Sequence, residues 1–179
     1  LSTIDSAISN GELVAYYQPK IDSTTGKVSG AEALVRWKKP DGTIIQPDQF
    51  IPIIERSGQI IAVDYFMYRE VFKFISQRLQ QGLKVVPISI NVSRQHFKKL
   101  DIINYVKSLL NEFKIPPKYI EFEITETVCM ADTAKAMNFI RTFHELGFKV
   151  SMDDFGSGYS SLYLLSELPI DIIKMDKCF

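Results

Sequence analysis

From residue 85 onward the chain repeats one pattern. Short runs rich in β-branched and aromatic residues alternate with longer segments whose apolar residues recur at helical spacing. Val85–Val92, Ile120–Thr125, Phe148–Asp153 and Ile170–Met175 have the length and composition of buried strands. Between them, Asp101–Phe113 places Ile102, Ile103, Val106, Leu109 and Leu110 on one face, with Asp101 as N-cap. Asp132–Leu146 is predicted as a helix stopped by Gly147, and Ser160–Leu168 as a short helix before Pro169.

The first half is less regular. It reads as a helix over Ser2–Asn10, a strand over Leu13–Gln18 ended by Pro19, a turn at Thr24-Thr25-Gly26, and a second strand over Val28–Trp37. Pro47 then opens a helix closed by Gly58, and Gln59–Gln80 forms a long amphipathic one. Strands alternating with helices imply right-handed crossovers and a parallel sheet covered by helices. No repeat, low-complexity tract or linker interrupts the 179 residues, so a single domain over 1–179 is expected.

The strands carry misfits. Both faces of a parallel strand are buried, yet Glu32, Asn91, Glu123, Asp153 and Lys174 stand near their C-terminal ends. Alternation puts Glu121 and Glu123 on one face, opposite Phe122 and Ile124. Asp153-Asp154 followed by Phe155-Gly156 admits two readings on its own: an Asp-rich turn capping the next helix, or carboxylates compensated by a cation. Each misfit alone fits a satisfied polar group at a strand end. As a set they do not, because buried charge is expensive. Oxygen ligands of this kind suit Mg²⁺ or Mn²⁺ and not zinc. In a parallel barrel they would converge at one mouth, where two ions can activate a water and steady a leaving oxygen in phosphodiester hydrolysis. Lys174 adds a compact charge for that water or a phosphate oxygen.

Composition narrows the partners. Lysine plus arginine (21) equals aspartate plus glutamate (21), so no global field favours long nucleic acids such as DNA, or anionic membranes. Two cysteines, Cys129 and Cys178, make no disulfide framework, and no apolar run is long enough to span a bilayer, so a cytoplasmic location is expected. Asp154-Phe155-Gly156 mimics a kinase motif, but no glycine-rich ATP loop, strand lysine or His-Arg-Asp loop accompanies it. His96 and His144 read as ordinary surface or half-buried residues.

Ordered motifs then make the chain recognisable. Tyr17-Gln18-Pro19, Glu32-Ala33-Leu34-Val35-Arg36-Trp37, Phe50-Ile51-Pro52 with Glu55, Asn91-Val92-Ser93, Glu123-Ile124-Thr125-Glu126, Asp153-Asp154-Phe155-Gly156-Ser157-Gly158-Tyr159-Ser160-Ser161-Leu162 and Lys174-Met175-Asp176 occur in sequence. Together they resemble the EAL domain, a bacterial family whose active members hydrolyse cyclic di-GMP to linear 5′-pGpG. Ser157 and Met175 replace the family's more usual threonine and isoleucine.

The resemblance implies an α/β fold: a TIM-type (β/α) barrel with an antiparallel first strand. It also implies a site. Glu32, Asn91, Glu123 and Asp153 would bind metal, Asp154 a second ion, and Lys174 would position the attacking water. Glu126 would anchor the loop after the strand ending in Asp153. Gln18, Leu34, Arg36 and Asp176 would contact the dinucleotide. Mg²⁺ or Mn²⁺ would serve, in all two ions, with Ca²⁺ inhibitory; GGDEF or sensor domains in a longer parent and homodimerisation are further expectations. The family continues with two more strand–helix units carrying a further glutamate, so an incomplete barrel with weak or no turnover is expected of these 179 residues. A non-hydrolytic cyclic di-GMP receptor or regulatory module is the alternative.

Overall fold

The predicted alternation forms, and each strand from residue 88 onward lies parallel to its predecessor in the sheet. The structure, a computed structural model, describes residues 4–97, 101–156 and 162–177. Its elements are α1 (Ile4–Ser9), β1 (Leu13–Ile21), β2 (Val28–Lys38), β3 (Ile44–Ile45), α2 (Pro47–Ser57), α3 (Ile60–Gln80), β4 (Ile88–Asn91), α4 (Asp101–Phe113), β5 (Ile120–Thr125), α5 (Glu126–Ala131), α6 (Thr133–Glu145), β6 (Lys149–Phe155), α7 (Leu162–Glu167) and β7 (Ile172–Met175). One sheet runs β1-β2-β4-β5-β6-β7, with the short β3 beside β2. β1 and β2 pair antiparallel, as expected of the first strand.

Among the described residues the sheet is open. β1 and β7 are its two ends, so a mixed α/β sheet is observed and a closed barrel is not. Ser2, the side chain of Asp101, Lys98, Lys99, Ser157–Ser161 and Cys178 lie outside the described residues. No described helix is long and apolar enough to cross a membrane.

The outer face of the sheet is the core. Phe122 of β5 meets Phe143 of α6 at 4.5 Å, Phe148 at 5.2 Å and Tyr68 of α3 at 5.7 Å between ring centroids. Offset and edge-on aromatic pairs of this kind add to the burial of their large apolar surfaces. Val63, Met67, Val71 and Ile75 put one stripe of α3 into the same layer.

Five local features differ from the sequence reading. β1 continues through Pro19 to Ile21, because an edge strand tolerates a residue without an N–H. β4 begins only at Ile88; Pro87 before it contributes just its carbonyl, which accepts from the Ala31 N–H at 2.9 Å. The short β3 and the one-and-a-half-turn α5 were not expected; Asp132 separates α5 from α6 and caps the latter by accepting from the Lys135 N–H at 3.0 Å. His96 is not a surface residue: it is buried, with Nε2 3.0 Å from Asp64 Oδ2. α2 behaves as read, with Pro47 in its first turn and Gly58 left-handed at φ 80° as its stop.

Candidate functional site

Side chains on the inner face of the sheet alternate with the core residues just described. On β5 the odd positions, Glu121 and Glu123, point inward while Phe122 and Ile124 face the helices. The middle of β2 and the C-terminal halves of β5 and β6 bring Glu32, Glu123 and Asp153 together, with one oxygen from each lying within 4.8 Å of the others. Lys174 of β7 stands among them. Its Nζ donates to Glu123 Oε2 at 2.8 Å, Asp153 Oδ2 at 2.9 Å and Glu32 Oε2 at 3.1 Å. Burial works against its charge, but the hydrogen bonds to Glu123 and Asp153 and the pull of Glu32 outweigh it and hold the ammonium well above its usual range. Asn91 joins the edge of the group, its Nδ2 donating to Glu32 Oε1 at 3.4 Å.

A bulge sets the geometry at β6. Met152 pairs with Ile173 and Phe155 with Met175, so Asp153 and Asp154 together face Lys174 alone. Asp154 takes the left-handed conformation, φ 56°, that aspartate tolerates better than most residues, and its N–H donates to Asp153 Oδ1 at 2.9 Å. The bulge leaves Asp154 exposed, outside the three-carboxylate group. Although the residue is exposed overall, its carboxyl is partly shielded from water, and this, reinforced by Asp153 and Asp176, raises it above the ordinary value. Asp176 follows β7, its N–H donating to the Phe155 carbonyl. Glu126 is buried at the start of α5, and its Oε2 accepts from the Gly156 N–H at 3.2 Å, which ties α5 to the turn after β6.

The residues expected to meet a dinucleotide stand around this group. Gln18 is exposed and opposite Glu32 in the β1–β2 register. Leu34 and Arg36, farther along β2, line a cavity of about 320 Å³ that also reaches Asn91 and Glu55. Arg36 lies over the Tyr16 ring at 5.8 Å, and its Nη1 donates to the Val35 carbonyl. Cys129 is buried within α5, and burial pushes its thiol up to about 12, which removes it from nucleophilic chemistry near neutral pH.

Two residues escaped the sequence reading. Lys20, near the end of β1, donates from Nζ to Glu123 Oε1 at 3.0 Å and to Glu121 Oε1 at 3.2 Å. Glu121, read only as Glu123's face-mate, is thereby part of the same ion network. The signal was available: Gln18 and Lys20 are two apart, hence on one face of a strand.

The donor set fits a hard divalent cation. Three carboxylates and an amide offer oxygens, and neither thiolate nor imidazole belongs to the described cluster.

Comparisons with known proteins agree on one family. The EAL domain profile matches residues 2–179. Signaling protein YkoW of Bacillus subtilis (strain 168) is 36% identical over 97% of this chain, which spans 22% of that protein. The probable cyclic di-GMP phosphodiesterase PdeB of Escherichia coli (strain K12) is 35% identical over 98% of the chain, which spans 34% of its length. The chain thus spans about a fifth to a third of the length of these curated relatives. Among solved structures, the phosphodiesterase MucR from Pseudomonas aeruginosa in complex with c-di-GMP superposes with a TM-score of 0.89 at 31% identity, covering 97% of this chain and 70% of that one.

Proposed function

The chain belongs to the EAL domain family, and from that premise we propose that it is a metal-dependent phosphodiesterase domain, acting in the cytoplasm as one part of a longer signalling protein, that opens cyclic di-GMP to linear 5′-pGpG. The observation that carries this reading is the convergence of Glu32, Glu123, Asp153 and Lys174, from four different strands, on one point. Relatives named as cyclic di-GMP phosphodiesterases share the fold and the family.

Glu32, Glu123 and Asp153, with Asn91 beside them, are the residues that would hold Mg²⁺ or Mn²⁺, and Asp154 would serve a second ion. A divalent cation there supplies a Lewis acid for the phosphoryl oxygens and lowers the pKa of a nearby water. Lys174, a compact point charge, holds a water or a phosphate oxygen against the carboxylates. Arg36 offers its planar fork to phosphate, Leu34 an apolar surface to a base, and Gln18 and Asp176 polar atoms to the dinucleotide. Glu126 fixes the turn at Gly156 and through it the position of Asp154.

The test is incubation of the chain with cyclic di-GMP and Mg²⁺ or Mn²⁺, with chromatographic detection of pGpG and calorimetric binding in Ca²⁺ alongside. Weak turnover is the expected result. Binding without turnover moves the chain to the receptor class, and neither result overturns both readings.

A further inference from the structure

We propose that Lys20 is a positioning residue for Glu123: from the edge strand it anchors one carboxylate oxygen and so turns the other toward Lys174, Glu32 and Asp153. The inference takes its reaction from the phosphodiesterase reading above, but its geometry stands apart. Each oxygen of Glu123 has its own ammonium, with Oε1 3.0 Å from Lys20 and Oε2 2.8 Å from Lys174. The Glu123 side chain is 0% exposed, so no solvent competes for either oxygen. A buried carboxylate held at each oxygen by a different ammonium cannot rotate freely about its last bond.

The sheet is built to let Lys20 reach across it. Lys20 is opposite Gly30 on β2, and inward-facing Ser89 lies on β4 before the chain reaches Glu121 and Glu123 on β5. A Cβ at Gly30 would come within 3.6 Å of the Lys20 stem and 3.2 Å of the Pro87 carbonyl. The residues beneath the long side chain on these two strands are thus small. Without Lys20, the buried Glu121 and Glu123 carboxylates lose the ammonium they share, and their repulsion turns one of them away. That removes the fixed orientation of Glu123.

Mn²⁺ binding by the full chain, followed by calorimetry, reads this directly. Lys20→Met is expected to bind Mn²⁺ about tenfold more weakly, within the range seen when a partner behind a metal ligand is lost. Lys20→Arg should retain most of the affinity, because a guanidinium can also bridge two carboxylates. The double variant Lys20→Met/Glu121→Gln removes the buried repulsion, so its denaturation midpoint should recover while its Mn²⁺ affinity stays low. Where cyclic di-GMP is turned over, kcat should fall in Lys20→Met and in the double variant with KM little changed. Unchanged Mn²⁺ affinity in Lys20→Met, or affinity that returns together with the midpoint in the double variant, overturns the proposal. If the unaltered chain binds Mn²⁺ through a site abolished by Glu32→Gln yet yields no pGpG, the phosphodiesterase reading fails and the affinity series still judges Lys20. No Mn²⁺ binding by the unaltered chain overturns both.

Discussion

The two faces of β5 do opposite things with adjacent residues. Phe122 and Ile124 are buried among aromatic and aliphatic side chains of α3 and α6, where contact alone suffices. Glu121 and Glu123 are buried too, but each is tolerated only because an ammonium has been brought to it, Lys20 from one end of the sheet and Lys174 from the other. The outer face therefore carries folding, and the inner face carries a charge arrangement that folding makes possible. Substitutions on the two faces should separate into losses of stability and losses of chemistry.

The largest effect is expected outside. Phe122→Ala removes the ring on which Phe143, Phe148 and Tyr68 converge and should cost about 3–5 kcal/mol in denaturant unfolding. Glu123→Gln, one residue away, should leave unfolding far less affected, since Lys20 keeps Glu121 and Lys174 keeps Glu32 and Asp153. Its turnover should drop by about a hundredfold, the upper end of what even an indirect perturbation of a metal site costs. If the two variants lose stability equally, the division between the faces is wrong.

Lys174→Met sharpens the contrast within the inner face. Three carboxylates would then share one point without their ammonium, so added Mn²⁺ should stabilise this variant more than the unaltered chain. A tenfold gain in affinity adds about 1.4 kcal/mol at saturating ion, or about 3–5 °C in thermal midpoint. The smallest effect belongs to Asp154→Asn. The raised carboxyl of Asp154 means that ionising it disfavours the folded state, so the neutral amide should raise the denaturation midpoint slightly at pH 7. That gain should shrink as pH falls through the raised pKa and vanish below the ordinary value of 3.8, where the carboxyl is protonated in both states. Turnover should fall in the same variant.

The outer face was the legible one. Apolar residues at two distinct periods gave every long helix and parallel strand, because burial writes itself into those periods. The carboxylates at strand ends were legible as violations of the same rule. What escaped were features that break local rhythm. Ending β1 at Pro19 concealed Lys20, since a residue outside a strand has no face to share with Gln18. α5 begins directly at Glu126 with no turn residue between it and β5, so nothing marked its start. The bulge at Asp153-Asp154 depends on its pairing with β7, about twenty residues away, and adjacent aspartates do not disclose which of them turns inward.

Glu32 and Lys174 are separated by 142 positions in the polymer, yet meet at 3.1 Å. Neither half of the molecule owns the cluster, since its carboxylates come from β2, β5 and β6 and its ammonium from β7. Recovery of ion affinity in a refolding experiment would therefore time the meeting of β2 with β5 and β6, making the acidic centre an internal clock for assembly.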